Sequence, residues 1–199
     1  MKVIFLDHDG VICLSSNWGG RSKKWAKYRS ANPESSRDMK DAPVEYRFDN
    51  FDEKAVKVLN EILEETGAEI VVSSDWKRWA NVEEMGEYYE QQGITKKPIA
   101  FTDSILWENY EDFPWHRGAD LEQTRSLEIS QYLGQNPHIT HWVAIDDLNM
   151  SLQGEGDKQW GLKNFVLTPL NNEGIKQSGI KDKVLKFLLD EENVQTQIH

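Results

Sequence analysis

Four consecutive apolar residues, Val3-Ile4-Phe5-Leu6, run directly into Asp7-His8-Asp9-Gly10-Val11. A short apolar run of this kind reads as a buried strand. The two aspartates then stand at its C-terminal end, the edge where open α/β sheets bind ligands. Residues i and i+2 of a strand share a face, so strand geometry continued to Asp9 points both carboxylates into one crevice and turns His8 away from it. Gly10 marks where the chain turns off. A polar turn uses the same residues, since Asp and Gly both favour turns. Two carboxylates this close otherwise call for a cation, a shared proton or a special task.

The pattern recurs along the chain. Ala68 to Val72 predicts a second short buried strand, ending in Ser73-Ser74-Asp75. His141 to Ile145 predicts a third, ending in Asp146-Asp147, and Asn164 to Leu167 a fourth. Helical patterns lie between them. Residues 51 to 66 carry the stripe Val56, Leu59, Ile62 and Leu63, with Asn50 or Asp52 as cap and Gly67 as stop. Further helices are expected over about Trp76 to Gln92, Leu121 to Leu133 and Ile180 to Leu189. Residues 94 to 120, with Pro98, Pro114 and Gly118, read as irregular. Strands alternating with helices predict an α/β fold with a doubly wound, mostly parallel sheet.

A length of 199 residues suits a single domain, taken here as 1–190 with a polar tail over 191–199. No apolar run approaches the ~18 residues of a membrane span, and Lys2 with its short apolar run is no signal peptide. One cysteine, Cys13, excludes an internal disulfide framework and a cysteine-rich zinc site, and points to a reducing, cytoplasmic setting. The net charge of -11 argues against wholesale electrostatic binding to nucleic acid. Residues 14–50 go the other way, with eight Lys/Arg against five Asp/Glu. They form a small basic, cap-like insertion after the first strand, in which Trp18, Trp25 and Tyr28 are interleaved with cations. Such a segment is either a solvated loop with a short helix or an arm that meets an anionic substrate. Its rings either pack or stack on bases.

In a doubly wound sheet the three polar strand ends share one edge. Asp7, Asp9 and Asp146 make a hard oxygen cluster suited to Mg²⁺. The set as a whole suits phosphoryl transfer. A carboxylate can attack phosphorus, and a second one two residues on can protonate the leaving oxygen and then activate water. A serine hydroxyl and a cation hold the phosphoryl oxygens.

On these residues the chain resembles the haloacid dehalogenase (HAD) superfamily, which implies a HAD-like Rossmannoid fold. The first motif of that family, Asp-X-Asp-Gly-(Thr/Val), is matched by Asp7-His8-Asp9-Gly10-Val11. The resemblance implies Asp7 as nucleophile and Asp9 as acid/base, with the Asp9 carbonyl on the metal. Ser73 matches the second motif, with Ser74 as second choice. Asp146-Asp147 match the fourth, with Asp146 as metal ligand and Asp147 as a ligand through water or an orienter. The third motif departs from the family, which usually has Lys. Arg125, 21 residues before Asp146, has the right placement, with Arg117 and Lys158 as alternatives. An exposed surface arginine also fits Arg125. Lys77 and Arg78, expected to open a helix after Ser73, either grip a substrate phosphate or form an exposed helix start. The segments around Ser73-Ser74-Asp75-Trp76, Arg125-Ser126-Leu127-Glu128-Ile129 and Trp142 to Asp147 are similar to HAD domains of RNA-repair proteins and polynucleotide kinase-phosphatases.

The activity so implied is Mg²⁺-dependent hydrolysis of a phosphomonoester through an aspartyl-phosphate. Its substrate class is a phosphorylated small molecule, a nucleotide or a DNA or RNA phosphate end. No membrane and no obligate protein partner is expected. The departure at the third motif keeps a non-catalytic binding or regulatory module as an alternative. A metal-dependent nuclease uses the same carboxylates.

Overall fold

The computed structural model describes residues 1–104, 120–155 and 159–190. Arg117, Lys158 and the tail over 191–199 lie outside the described residues. Five strands, β1 (Lys2–Leu6), β2 (Glu69–Val72), β3 (Ala100–Phe101), β4 (His141–Asp146) and β5 (Phe165–Leu167), form one sheet in the order β3-β2-β1-β4-β5. Every pairing is parallel. The described α-helices are α1 (Gly20–Ala31), α2 (Glu53–Thr66), α3 (Val82–Gln91), α4 (Asp120–Gln135) and α5 (Ile180–Leu189). This is the α/β architecture that the alternating pattern predicts.

Alternation along the strands feeds two cores. Ile4, Leu6, Ile70, Val72, Val143 and Ile145 pack with residues of α2, α3 and α5. Val3, Phe5, Val71, Trp142 and Ala144 face the other way, onto Ile129 and Leu133 of α4. Both sheet faces are therefore covered, which is why the strands read as continuous apolar runs. Helix α2 starts where the Asp52 carboxylate accepts from the Ala55 N–H at 2.9 Å, and it ends at Gly67 with φ 67°. Its Leu59, Ile62 and Leu63 are buried, each stabilising the fold by roughly 1.5–3 kcal/mol.

Two elements differ from the sequence expectation. The helix expected from Trp76 to Gln92 is a 3₁₀ turn, Asp75–Arg78, followed by α3 from Val82. A capping box makes the break. Asn81 accepts from the Glu84 N–H at 2.8 Å, and Glu84 accepts from the Asn81 N–H at 3.0 Å. Arg47 reinforces it by donating to the Trp79 carbonyl at 2.9 Å and to Glu84 at 2.7 Å. Lys77 and Arg78 consequently lie on the 3₁₀ turn and do not open α3. The second difference is β3, within a segment that reads as irregular. Its two residues borrow their order from β2, through Val71↔Ala100 and Val72↔Phe101.

Helix α1 lies in the basic insertion and has no buried residue. Tyr28 packs on Tyr46 at 4.7 Å between ring centroids. The two ends of the insertion are tied together. Asp49 accepts from the Gly19 and Arg21 N–H groups at 3.2 and 2.5 Å, and Asn17 donates to the Asn50 carbonyl at 2.9 Å.

Candidate active site

Strand register assembles the site. Leu6 is level with both Val72 and Ile145. The next residue of each strand, Asp7, Ser73 and Asp146, therefore emerges at one edge, on the face covered by α4. Backbone bonds hold them there: Asp7 N–H donates to the Ile145 carbonyl at 3.1 Å and Ser73 N–H to the Leu6 carbonyl at 2.9 Å. Asp7, Ser73 and Asp146 are all buried.

Carboxylate oxygens of Asp7, Asp146 and Asp147 lie within 4.8 Å of one another. Arg125 reaches into the cluster from α4, one turn before the buried Ile129. Its Nη1 is 2.8 Å from Asp146 Oδ2 and 3.3 Å from Asp7 Oδ2. Burial opposes the charge of Arg125, but Asp146 and Asp7 outweigh it and hold the guanidinium above its ordinary value. Burial, with Asp146 beside it, raises the Asp7 carboxyl well above the usual range, against the pull of Arg125 and the Ser74 hydroxyl. Burial likewise raises Asp146, against Arg125. Asp147 is pushed up to about 6 by burial and by Asp7. One guanidinium does not balance three carboxylates, so the cluster carries an excess of negative charge that a cation relieves.

Asp9 stands apart from this cluster. Its Oδ2 accepts from the indole N–H of Trp76 at 2.9 Å. Trp76 is itself clamped between rings, stacked on Phe48 at 4.6 Å and on Phe51 at 5.5 Å. Burial raises the Asp9 carboxyl, against the Trp76 bond. His8 turns to the opposite side, where its Nε2 is 2.7 Å from the Tyr89 hydroxyl. Burial and then Arg125 lower His8 to about 3, so the ring is neutral.

The remaining expected residues divide by environment. The Ser73 hydroxyl is buried and has no hydrogen-bond partner among the described residues. Ser74 accepts from the Trp76 N–H at 3.4 Å and lies beside Asp7. The Lys77 ammonium is 2.7 Å from Glu128 and 3.1 Å from both the carbonyl and hydroxyl oxygens of Thr102. Arg78 lies 3.9 Å from Asp75 on its own turn. Sequence reasoning missed Trp76 as the partner of Asp9. The two are 67 residues apart, and no local spacing links them. It also missed Asp49, whose only signal was its place at the far end of the insertion.

Asp9, Trp76 and Asp147 line a cleft of about 410 Å³ together with Trp18, Gly19, Arg21, Ser22 and Asp49 from the insertion. A larger groove of about 630 Å³ runs along α2 and includes none of the clustered carboxylates. Of the two, the smaller cleft reaches the carboxylate cluster, through Asp147. No helix among the described residues is long and apolar enough to cross a membrane.

No curated protein and no solved structure matches the chain. Residues 3–178 match the family model described as the HAD domain in Swiss Army Knife RNA repair proteins. That span includes all four motif positions and the lining of the cleft. The chain belongs to the HAD superfamily, in the family of HAD domains of Swiss Army Knife RNA-repair proteins.

Proposed function

We propose that this domain is a Mg²⁺-dependent phosphatase that hydrolyses a phosphomonoester, on nucleotides or nucleic-acid ends, through a phosphorylated Asp7. The observation that carries the reading is the position of Arg125, within 3.3 Å of Asp7 and 2.8 Å of Asp146. Those two carboxylates lie in a carboxylate cluster with an oxygen donor set that fits Mg²⁺. Asp7, Asp146 and Asp147 would hold the ion, with the Asp9 carbonyl as a further ligand implied by family likeness. When bound, the ion neutralises charge on the phosphoryl oxygens.

Asp7 attacks phosphorus, and the bond from phosphorus to the ester oxygen breaks. Asp9 gives that oxygen its proton as it leaves. Trp76 occupies Asp9 Oδ2 and the Cys13 side chain also bonds this carboxyl, which holds it in place as it gives and takes the proton. A water then surrenders a proton to Asp9 and attacks phosphorus, and the bond from Asp7 to phosphorus breaks. Phosphate departs, with Asp7 and Asp9 back in their starting states. Arg125 and the Ser73 hydroxyl hold the phosphoryl oxygens, and the buried hydroxyl without a partner suits that task. Ser74 orients Asp7. Residues 14–50 act as a cap-like insertion on a single domain. Lys77 braces the Ser73 loop against α4 through Glu128, and Arg78 stays at the rim. The single, buried Cys13 suits a reducing cytoplasmic setting.

The test is release of inorganic phosphate, with and without Mg²⁺, from nucleotides and from 3′- and 5′-phosphorylated DNA and RNA. Release that needs Mg²⁺ and is lost in Asp7→Asn supports the reading. Cleavage of internal phosphodiesters makes the domain a nuclease. Mg²⁺ binding without release from any ester makes it a binding module.

A further inference from the structure

The leaving oxygen takes its proton from Asp9, so the leaving group occupies the cleft that Asp9 lines. We infer that this cleft is a nucleoside subsite, in which a base stacks on Trp18 and the adjoining phosphodiester pairs with Arg21. The inference rests on the phosphatase reading for which ester bond is broken, and it adds which part of the leaving group is recognised.

Its volume, about 410 Å³, falls within the roughly 300–1,000 Å³ typical of small-molecule sites. A phosphoryl group alone needs far less. Trp18 is 44% exposed, whereas Trp76, which lines the same cleft, is 4% exposed. Trp18 is nonetheless fixed, because its indole N–H donates to the Cys13 carbonyl at 3.2 Å. A ring pinned by its edge and left open beside the proton donor is a stacking surface.

Arg21 stands three residues further on, exposed, in the first turn of α1. Its backbone N–H donates to Asp49 at 2.5 Å, so the main chain that carries ring and guanidinium is fixed before any ligand arrives. Such preorganisation lowers the entropy cost of binding. A flat ring and a guanidinium in one cleft match a base and the phosphate next to it. A sugar phosphate supplies only the second. Beyond Arg21 the same helix carries Lys23 and Lys27, both exposed, in a protein of net charge -11. These two cations of α1 lie outside the cleft, whose own lining sets Arg21 against Asp9, Asp49 and Asp147, so a phosphodiester is held at the rim by Arg21.

Binding in an Asp7→Asn background tests this. The ligands are 5′- and 3′-phosphorylated triribonucleotides, each compared with the same oligomer carrying an abasic terminal sugar, with Mg²⁺ present. Thermal melts verify that each variant is folded. The base-bearing oligomer with the phosphate at the correct end should bind about tenfold tighter than its abasic partner, the value of one stacked base. Trp18→Ala should erase that preference, and Trp18→Phe should keep most of it. Arg21→Gln should weaken both oligomers and flatten the salt dependence. No base preference in the parent, or an undiminished one in Trp18→Ala, overturns the subsite. Phosphate release by the wild type on the same oligomers separates the two readings. Release without base preference removes the subsite alone. Base preference without release removes the phosphatase reading and leaves the subsite standing.

Discussion

Gly10 and Asp147 are in contact across the site: a Cβ added at Gly10 would lie 2.5 Å from Asp147 Oδ2 and 2.7 Å from its Cβ. Gly10 also has φ +69°, which an L side chain adopts at a cost. The glycine of the first motif thus makes room for the second carboxylate of the fourth. Gly10→Ala should lower stability by about 1–3 kcal/mol and weaken Mg²⁺ binding at least about tenfold, a change of roughly 1.4 kcal/mol. Calorimetric titration and thermal melts measure both. Unchanged Mg²⁺ affinity would remove Asp147 from the metal site.

The Arg125 side chain is 14% exposed and pairs with two carboxylates, at the position where the family resemblance would place a lysine. Arg125→Ala leaves Asp7 and Asp146 unbalanced, so the metal-free protein should lose about 3–5 kcal/mol. Turnover should fall roughly 10²–10³-fold, as when one preorganised donor to the transition state is removed. Arg125→Lys keeps the charge without the fork and should fall between. Full turnover in Arg125→Ala would show that the cation comes from another residue.

The raised carboxyls make stability depend on pH. The Asp7, Asp146 and Asp147 carboxyls are all held above their ordinary range, so the folded metal-free protein binds protons more tightly than the unfolded chain. A carboxyl raised in this way contributes least destabilisation below its unfolded value of about 4, and its cost grows as pH rises toward the folded value. His8, lowered to about 3, opposes this trend below its unfolded value of about 6.5, so the metal-free protein should melt progressively lower most clearly between about pH 6.5 and pH 8. Asp7→Asn should flatten that slope and raise the melting temperature at neutral pH by several degrees, of the order expected for 1 kcal/mol or more. Mg²⁺ should do the same for the wild type. A slope that Asp7→Asn leaves intact would place the cost elsewhere.

Lys77 and Glu128 are both buried at their charged ends and 2.7 Å apart. They join the loop after Ser73 to the helix that carries Arg125. Lys77→Met should cost about 3 kcal/mol by stranding Glu128, and Glu128→Leu in addition should recover most of it. KM should change little in the double variant, because Lys77 supports the site from behind. A large rise in KM with restored stability would make Lys77 a substrate contact.

The strands were legible because they are buried on both faces, and each ends in polar residues. Asp7, Ser73 and Asp146 could be placed at one edge from that pattern alone, and the register Leu6↔Val72 and Leu6↔Ile145 brings them level. Arg125 was legible as a position on a helix. Its contacts with Asp7 and Asp146 were not, since they depend on how α4 crosses the sheet. β3 escaped notice because two residues give no periodicity, and its order comes from pairing with β2. The break before α3 was written in Asn81 and Glu84, a capping pair overridden by the longer apolar pattern. The Trp76 bond to Asp9 and the Asp49 clamp on α1 are tertiary, joining residues 67 and 28 apart.

Asp7 as nucleophile is the central claim. Rapid acid quench during turnover with Mg²⁺, followed by peptide mass spectrometry, tests it most directly. The account predicts a phosphoryl adduct on the peptide Val3 to Ile12, located at Asp7, absent without Mg²⁺ and absent in Asp7→Asn together with phosphate release. Phosphate release undiminished in Asp7→Asn, with no adduct on the wild-type peptide, would contradict it.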